Sequence, residues 1–248
     1  MLEAITLQAI KLAGSVLTFA GILESCHCPS HDSINLHNAS IGAAFAHFIV
    51  RTPRQCLSST LPVNIHDNVA MSLAQIKSLI RTIPDFPKPG IQFRDITTLL
   101  KDADGLRMVI DAFAVQCEGK SIDVVAGIES RGFIVGAPLA LRLGVGFVPI
   151  RKPGKLPGAT VGHDYRLEYG SDRVELHTDA ISPGSAVLLI DDLIATGGTA
   201  LAAAALIEKV GGRIIECLFV INLPDHGGKQ RLDSRGYQSY ALCEFDGE

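Results

Sequence analysis

Apolar runs of strand length alternate with amphipathic stretches of helix length along residues 71–248. Residues 122–126, which are mostly apolar, and the apolar residues 186–190 are short runs bounded by glycine or polar residues, which is typical of strands buried on both faces. Residues 102–117 carry apolar side chains at helical spacing, and residues 131–143 predict a second helix. Alternation of this kind predicts a parallel sheet covered by helices.

The other predicted elements complete this alternation. The Gly- and Pro-rich residues 151–162 have few apolar anchors and predict a mobile loop. A hairpin follows over 165–177, turning at Tyr169-Gly170. The remaining predictions are helices over 72–83 and 198–210, and strands over 145–150, 213–221 and 237–243.

The first 70 residues differ in composition from the rest of the chain. They hold five of the eight histidines and three of the six cysteines, but few charged side chains. We therefore predict a boundary near Met71, with a folded domain over 71–248. Residues 1–70 are then either a weakly ordered extension or an upstream stretch joined to a true start at Met71.

Other interpretations of this extension have weaker support. Residues 4–23 are apolar but include Gln8 and Lys11, which makes them a poor transmembrane span, and the Met-Leu-Glu start does not fit a secretory signal. A transit peptide would be richer in Arg and Ser. Cys26 and Cys28 lie beside two histidines and could bind zinc, but no second ligand pair follows at zinc-finger spacing.

Composition limits the class of protein. A chain of 248 residues that is 47% hydrophobic and 19% charged is typical of a globular protein. The net charge of −4 supplies no basic footprint for nucleic acid. Six scattered cysteines are typical of a reducing compartment, so we expect a cytoplasmic protein with no nucleic-acid or membrane partner.

Residues 186–199, AVLLIDDLIATGGT, combine the parts of a sugar-phosphate site. A buried strand leads to Asp191 and Asp192, whose carboxylates can accept hydrogen bonds from two ribose hydroxyls at the carboxyl end of the sheet. Neither a P-loop nor a dinucleotide fingerprint is present. The residues that follow lack bulk or carry hydroxyls, so their N–H groups can surround a phosphate at a helix N-terminus: Ala195, Thr196, Gly197, Gly198 and Thr199.

This pattern resembles the phosphoribosyl pyrophosphate (PRPP) motif of the type I phosphoribosyltransferases. Four further segments resemble the members of that family that take adenine as acceptor, and the resemblance covers residues 71–248. It implies an α/β fold with a mostly parallel sheet flanked by helices, a small N-terminal hood and a flexible lid hairpin. It also implies a homodimer and a Mg²⁺ cofactor that is held mainly through PRPP rather than directly by the protein.

The first of these segments, residues 84–97, resembles the hood that covers the base. The resemblance implies that Phe93 offers a stacking face to adenine. The backbone around Gln92 and Arg94 would then present an acceptor and a donor to the edge of the base. Leu193, within the PRPP motif, is also implied as an adenine-binding residue.

The second segment, residues 127–133 (GIESRGF), resembles the pyrophosphate loop. Ser130 and Arg131 follow a strand and precede a helix, where backbone amides face an anion. The guanidinium of Arg131 suits phosphate oxygens and gives this residue an implied catalytic role. The resemblance also implies a cis peptide bond near Glu129–Ser130.

The third segment resembles the lid and consists of residues 151–158 (RKPGKLPG) and 165–170 (YRLEYG). The resemblance implies that Lys152 and Lys155 close over the pyrophosphate. It also implies that Glu168 exchanges a proton with the purine.

The fourth segment, 221–242, resembles bacterial members and has no assigned chemistry. Residues 159–164 depart from the family pattern, as do residues 1–70.

The implied reaction converts adenine and PRPP into AMP and pyrophosphate, a step of purine salvage. Two alternatives stay open. Another purine or xanthine phosphoribosyltransferase is one, because the choice of purine depends on a few atoms. The other is a PRPP-sensing transcription regulator, in which a winged helix would occupy residues 1–70. That extension shows no helix-turn-helix pattern, and Glu168, which such regulators tend to lose, is present.

Overall fold

The structure is a computed structural model that describes residues 73–166 and 171–247. Predictions that concern residues 1–70 and Glu168 therefore lie outside the described residues. Residues 73–79 form helix α1. The other α-helices are α2 (Thr97–Leu100), α3 (Ala103–Gln116), α4 (Arg131–Leu143), α5 (Gly198–Lys209) and α6 (Gly228–Ser234), with a 3-10 helix at Pro224–His226.

Nine strands form three sheets in the described part of the chain. No described helix combines the length and the apolar character needed to cross a bilayer. The strands are β1 (Arg81–Pro84), β2 (Gln92–Asp95), β3 (Val124–Ile128), β4 (Gly146–Ile150), β5 (Thr160–Arg166), β6 (Ser171–His177), β7 (Ala186–Ile194), β8 (Arg213–Asn222) and β9 (Ser239–Glu244).

The central sheet has five strands in the order β4-β3-β7-β8-β9, and every neighbouring pair is parallel. This confirms the predicted parallel sheet flanked by helices. β7 is buried on both faces because Leu188 and Ile190 pack in the cluster with α3 and α4, whereas Val187 and Leu189 pack in the cluster with α5. Such two-sided burial explains the uninterrupted apolar run.

Two antiparallel strand pairs lie outside this sheet. β1 pairs with β2, and β5 pairs with β6 from Thr160↔His177 to Arg166↔Ser171. The predicted hairpin strands are therefore present, while the turn over 167–170 lies outside the described residues. The loop predicted over 151–162 is shorter than expected, because its last residues join β5.

The helix predicted over 72–83 was wrong at its end. Residues 73–79 are helical, but Arg81–Pro84 is strand β1, in which Ile83 pairs with Phe93. The Arg81 guanidinium also contacts the Asp95 carboxylate at 2.5 Å. Pairing with a strand ten residues away determines this boundary, and helical periodicity contains no information about such a partner.

The other boundaries follow the sequence closely. α3 begins after Asp102, whose carboxylate accepts a hydrogen bond of 2.7 Å from the Gly105 N–H, as an N-cap does. α4 has the predicted bounds. The first strand of the sheet is displaced by two residues toward the C-terminus, to Val124–Ile128, so that it ends next to the loop at Glu129.

Candidate active site

A cavity of about 340 Å³ opens where β3 and β7 end. Ligands bind beyond the carboxyl ends of parallel strands in open α/β sheets, so its location agrees with the predicted site. The cavity is also lined by Ile128, Glu129, Ile194 and Ala200, to which the sequence assigned no binding or catalytic role. The predicted site residues in its wall are Ser130, Arg131, Lys152, Asp191, Asp192, Leu193, Ala195, Thr196, Gly197, Gly198 and Thr199.

The two acids belong to strand β7 itself, which continues four residues beyond the predicted end at Ile190. Asp191 pairs with Phe219 of β8, and Leu193 pairs with Ile221. Parallel pairing therefore fixes the backbone on both sides of Asp192. Backbone hydrogen bonds, rather than a loop, orient the carboxylates.

Burial and the charge of Arg131 both act on the carboxylates of Asp191 and Asp192. Burial raises the pKa of Asp191 well above its usual range, and the neighbouring Asp192 raises it further. Burial also raises the pKa of Asp192, while Arg131 opposes this increase. The pair therefore holds a proton more readily than exposed aspartates do. Hydroxyl donors or a cation bound here would favour the ionised form.

One oxygen of Asp192 lacks a hydrogen-bond partner although it is buried. Its Oδ2 lies 2.9 Å from Nε of Arg131, without hydrogen-bond geometry. Asp192 as a whole is only 4% exposed. A buried carboxylate oxygen without a hydrogen bond has a large desolvation penalty, which a ligand with a suitable donor would remove.

The small-residue loop after β7 is held by the start of α6. The Gly228 N–H donates to the Ala195 carbonyl at 2.9 Å, and Arg231 Nη1 donates to the Thr196 carbonyl at 2.9 Å. A Cβ at Gly228 would lie 2.2 Å from that Ala195 oxygen. The loop leads through Gly197, with φ of 79°, into the twelve-residue helix α5, whose first N–H groups favour an anion.

The loop after β3 has the cis peptide bond between Glu129 and Ser130 that the resemblance implied. The Glu129 carboxylate accepts hydrogen bonds from Arg151 Nε at 3.1 Å and from the Lys152 N–H at 2.9 Å. The hydrogen bond from Arg151 lowers the pKa of Glu129. Glu129 therefore joins the loop carrying Arg131 to the loop that follows β4.

Lys152 connects the cavity with the β5–β6 hairpin. Its ammonium forms an ion pair with Asp172 and lies 3.4 Å from the Tyr165 hydroxyl. That hydroxyl donates to Asp172 at 3.1 Å and accepts from Thr199 Oγ1 at 3.2 Å. Burial is the strongest single influence on the pKa of Lys152 and lowers it, but the contacts with Asp172 and with the Tyr165 hydroxyl together outweigh burial and raise the pKa. Lys152 therefore remains a cation.

The remaining predicted residues lie outside the lining of the cavity. Lys155 is exposed, and its carbonyl accepts a hydrogen bond from Arg151. Gln92, Phe93 and Arg94 form most of β2. The ring of Phe93 lies 5.8 Å from the Arg131 guanidinium carbon, which brings β2 beside the cavity. Glu168 lies outside the described residues.

The carboxylates that line the cavity fit a magnesium ion that takes most of its ligands from bound substrate and water. Within residues 73–166 and 171–247, no group of three or more His, Cys, Asp and Glu side chains is arranged to hold a metal. Asp191 and Asp192 carry carboxylate oxygens of the kind that Mg²⁺ prefers, but two adjacent carboxylates would not fill its octahedral shell. The other ligands would come from a bound substrate and water.

Comparison with known proteins identifies the class. The family model described as phosphoribosyl transferase domain matches residues 97–246. The adenine phosphoribosyltransferase of Methylobacillus flagellatus is 68% identical over 171 residues, which cover 69% of this chain and 97% of that protein. The match includes nearly all of the relative, while part of this chain lies outside it.

Two solved structures agree with this match. The adenine phosphoribosyltransferase of Thermoanaerobacter pseudethanolicus is 50% identical, with a TM-score of 0.67 over 70% of this chain and 99% of that one. The Saccharomyces cerevisiae enzyme, solved with adenine and an imino-altritol bisphosphate, is 40% identical, with a TM-score of 0.67 over 70% and 99% of the two chains. This chain belongs to the phosphoribosyltransferase family and, within it, to the adenine phosphoribosyltransferases.

Proposed function

We propose that the chain transfers the phosphoribosyl group of PRPP to adenine, giving AMP and pyrophosphate. The arrangement at the end of β7 carries this proposal. The paired acids Asp191 and Asp192, the small-residue loop and Arg131 line one cavity, and the Phe93 ring lies beside Arg131. Relatives and structural neighbours that are named adenine phosphoribosyltransferases support adenine as the acceptor.

The acids and the loop would hold the ribose phosphate. Each carboxylate accepts hydrogen bonds from ribose hydroxyls, and the N–H groups of residues 195–199 surround the 5-phosphate at the start of α5. Ionised Asp191 and Asp192 also stabilise the positive charge that develops on the sugar as its C1–O bond breaks. Because burial raises both pKa values, it is the ribose hydroxyls donating to these carboxylates that would favour their charged form.

The cations would stabilise the departing pyrophosphate. Arg131 offers a guanidinium that can form paired hydrogen bonds with phosphate oxygens. Lys152 would exchange its contact with Asp172 for the pyrophosphate, and Lys155 would approach when residues 151–158 close. Mg²⁺, when bound, would supply charge neutralisation for the leaving group. Closure of this segment would also exclude water that could hydrolyse PRPP.

Adenine would be held by the hood and deprotonated by Glu168. Phe93 would stack on the base, with Leu193 and the backbone of Gln92 and Arg94 completing the pocket. A purine nitrogen forms the new bond to C1 while the bond from C1 to the pyrophosphate oxygen breaks. Glu168 accepts the proton that this nitrogen loses. Holding both reactants in line provides the rest of the rate enhancement.

The proposal extends to assembly and location. We expect a homodimer in the cytoplasm with Mg²⁺ as cofactor, as the family resemblance implies. The three described cysteines support a reducing compartment, because Cys117, Cys217 and Cys243 are buried free thiols. Burial raises the pKa of Cys117 to about 11 and that of Cys217 and Cys243 to about 12. Size-exclusion chromatography with light scattering and cell fractionation test these two points.

A base-competition assay tests the function. The full chain is incubated with PRPP and Mg²⁺ and with adenine, guanine, hypoxanthine or xanthine, and the nucleotide products are separated. We expect AMP as the main product and no product from Arg131→Ala, which controls for contaminating activity. Preference for another purine would indicate another purine or xanthine phosphoribosyltransferase. No product, together with a shifted DNA band in a gel, would favour the regulator.

A further inference from the structure

The β1–β2 pair carries Phe93 but has no strand partner in the central sheet within the described residues. A two-stranded pair is only marginally stable on its own. Side-chain contacts must therefore determine where Phe93 lies relative to the cavity. The contacts with residues 245–247, which we call the C-terminal tail, connect β2 with the strands that carry the acids.

Phe93 and Arg94 are neighbours in β2, so their side chains point to opposite faces of the strand. Phe93 lies on the side of Arg131. The guanidinium of Arg94 instead donates to Thr82 Oγ1 at 2.5 Å and to the Asp246 carbonyl at 3.2 Å. One side chain of β2 therefore faces the site, and the next one holds the tail.

Phe245 is the centre of this contact. The Arg94 guanidinium carbon lies 4.6 Å from the centroid of its ring, and Lys77 Nζ lies 4.9 Å from it. Both are within the range of cation–π attraction. Lys77 belongs to α1 and Arg94 to β2, so one ring joins two elements that precede the central sheet in the chain.

The tail is in turn attached to the sheet. The Phe245 N–H donates to the Asn222 carbonyl at 3.1 Å, and the Gly247 N–H donates to Asp225 Oδ2 at 2.9 Å. Asn222 is the last residue of β8, and β8 pairs with β7 at Asp191. A continuous set of contacts therefore leads from the ribose-binding acids to β2.

We propose that Phe245 is a positioning residue for adenine, which holds Phe93 at a fixed distance from Asp191 through its contact with Arg94. This inference rests on the proposed function. Transfer requires the base and the sugar carbon to be aligned closely. A looser β2 would weaken productive adenine binding. PRPP binding would change little, because the residues proposed to bind it lie outside β2, on β7, on α5 and in the segments that carry Arg131 and Lys152.

Steady-state kinetics of full-chain variants test this role. We expect Phe245→Ala to raise the KM for adenine about tenfold and to change the KM for PRPP by less than about twofold. Phe245→Tyr keeps the ring and should restore the wild-type KM. Asp246→Ala is the matched control in the tail, because Arg94 contacts the main-chain carbonyl of this residue. It should behave like the wild type.

The outcomes separate this inference from the proposed function. An inactive wild type would overturn the function, whereas an active wild type with an unchanged Phe245→Ala adenine KM would overturn only the positioning role. A fall in kcat with both KM values unchanged, the result of a purely structural role, would also overturn it. If Phe245→Ala shows no cooperative thermal transition, Phe245→Leu decides, since it keeps apolar packing without the ring. Wild-type kinetics of Phe245→Leu would then contradict the proposal.

Discussion

Asp191 and Asp192 are adjacent acids at the buried end of β7, so folding brings two negative charges into a region where water screens them poorly. Sequence alone predicted both acids and their function in holding a ribose. It contained no sign of the 2.9 Å approach of Arg131 to Asp192, since these residues are 61 positions apart in the chain. Because burial raises their pKa values, keeping these acids ionised at neutral pH destabilises the fold.

Asp191→Asn should stabilise the fold at neutral pH and lower activity. A carboxyl whose pKa is higher in the folded state than in the unfolded state destabilises the fold as pH rises between those two values. The penalty is fully present above the raised pKa, and each pKa unit corresponds to about 1.4 kcal/mol. The variant should therefore have a higher Tm than the wild type at pH 7, with a smaller advantage near pH 4.5.

Thermal denaturation over this pH range measures the effect. Asp179→Asn is the control, since Asp179 is exposed in a turn and should change the Tm little at either pH. AMP formation by Asp191→Asn should fall, because the amide offers ribose an uncharged acceptor. An equal or lower Tm for Asp191→Asn at pH 7 would show that the acids are not in electrostatic conflict.

Glu168→Leu should reduce kcat by about 100-fold or more, which is the usual contribution of a general acid/base. PRPP affinity should stay unchanged, because the proposed role of this residue is at the purine. Glu118→Leu, at an exposed position, controls for replacing an acid by an apolar side chain. Rapid-quench kinetics and calorimetric titration with PRPP measure the two quantities. An unchanged rate would remove Glu168 from the mechanism.

At the scale of elements, the strands and helices with strong periodicity were predicted well. α3, α4 and the core of β7 follow from apolar spacing, caps and glycines that act locally.

The element that supports the phosphate loop was not predicted. Residues 221–242 had no assigned chemistry, yet Gly228 of α6 contacts the carbonyl of Ala195. The adjacent glycines Gly227 and Gly228 could have indicated this contact, since glycine permits a close approach of two backbones.

Gly228→Ala should weaken PRPP binding. Its Cβ would lie 2.2 Å from the Ala195 carbonyl oxygen, so the loop or α6 must move. Such overpacking destabilises a fold by about 1–3 kcal/mol, and here the displaced loop is the one proposed to bind the 5-phosphate. We expect a lower Tm and a higher KM for PRPP, measured by thermal denaturation and initial rates.

Gly146→Ala is the matched control for this change. The nearest atom to a Cβ there, Val124 Cγ2, is 3.8 Å away, which is an ordinary contact distance. It tests replacement of a glycine without a clash. If both variants keep the wild-type KM for PRPP, the contact between α6 and the loop does not support the binding site.

At the scale of the whole molecule, composition predicted a division near Met71, and this boundary stays a prediction. A chain that starts at Met71 should keep its Tm and kcat. A chain that starts at Arg81 also loses α1, whose Ile76 is fully buried in the core, and should be less stable by several kcal/mol. Thermal denaturation and AMP formation compare the two truncations. Loss of activity in the chain that starts at Met71 would show that residues 1–70 contribute to the folded enzyme.

The sequence by itself determined the parallel α/β architecture, the acids and small-residue loop of the site, and the family that they resemble. These features depend on local patterns, namely apolar runs, glycine positions and adjacent residue types. Only the tertiary structure decided the extension of β7 through the acids, the ion pair between Lys152 and Asp172, and the contact of Phe245 with Arg94. Each of these depends on residues distant in the chain that folding brings within a few ångströms, and no local pattern specifies their distance or direction.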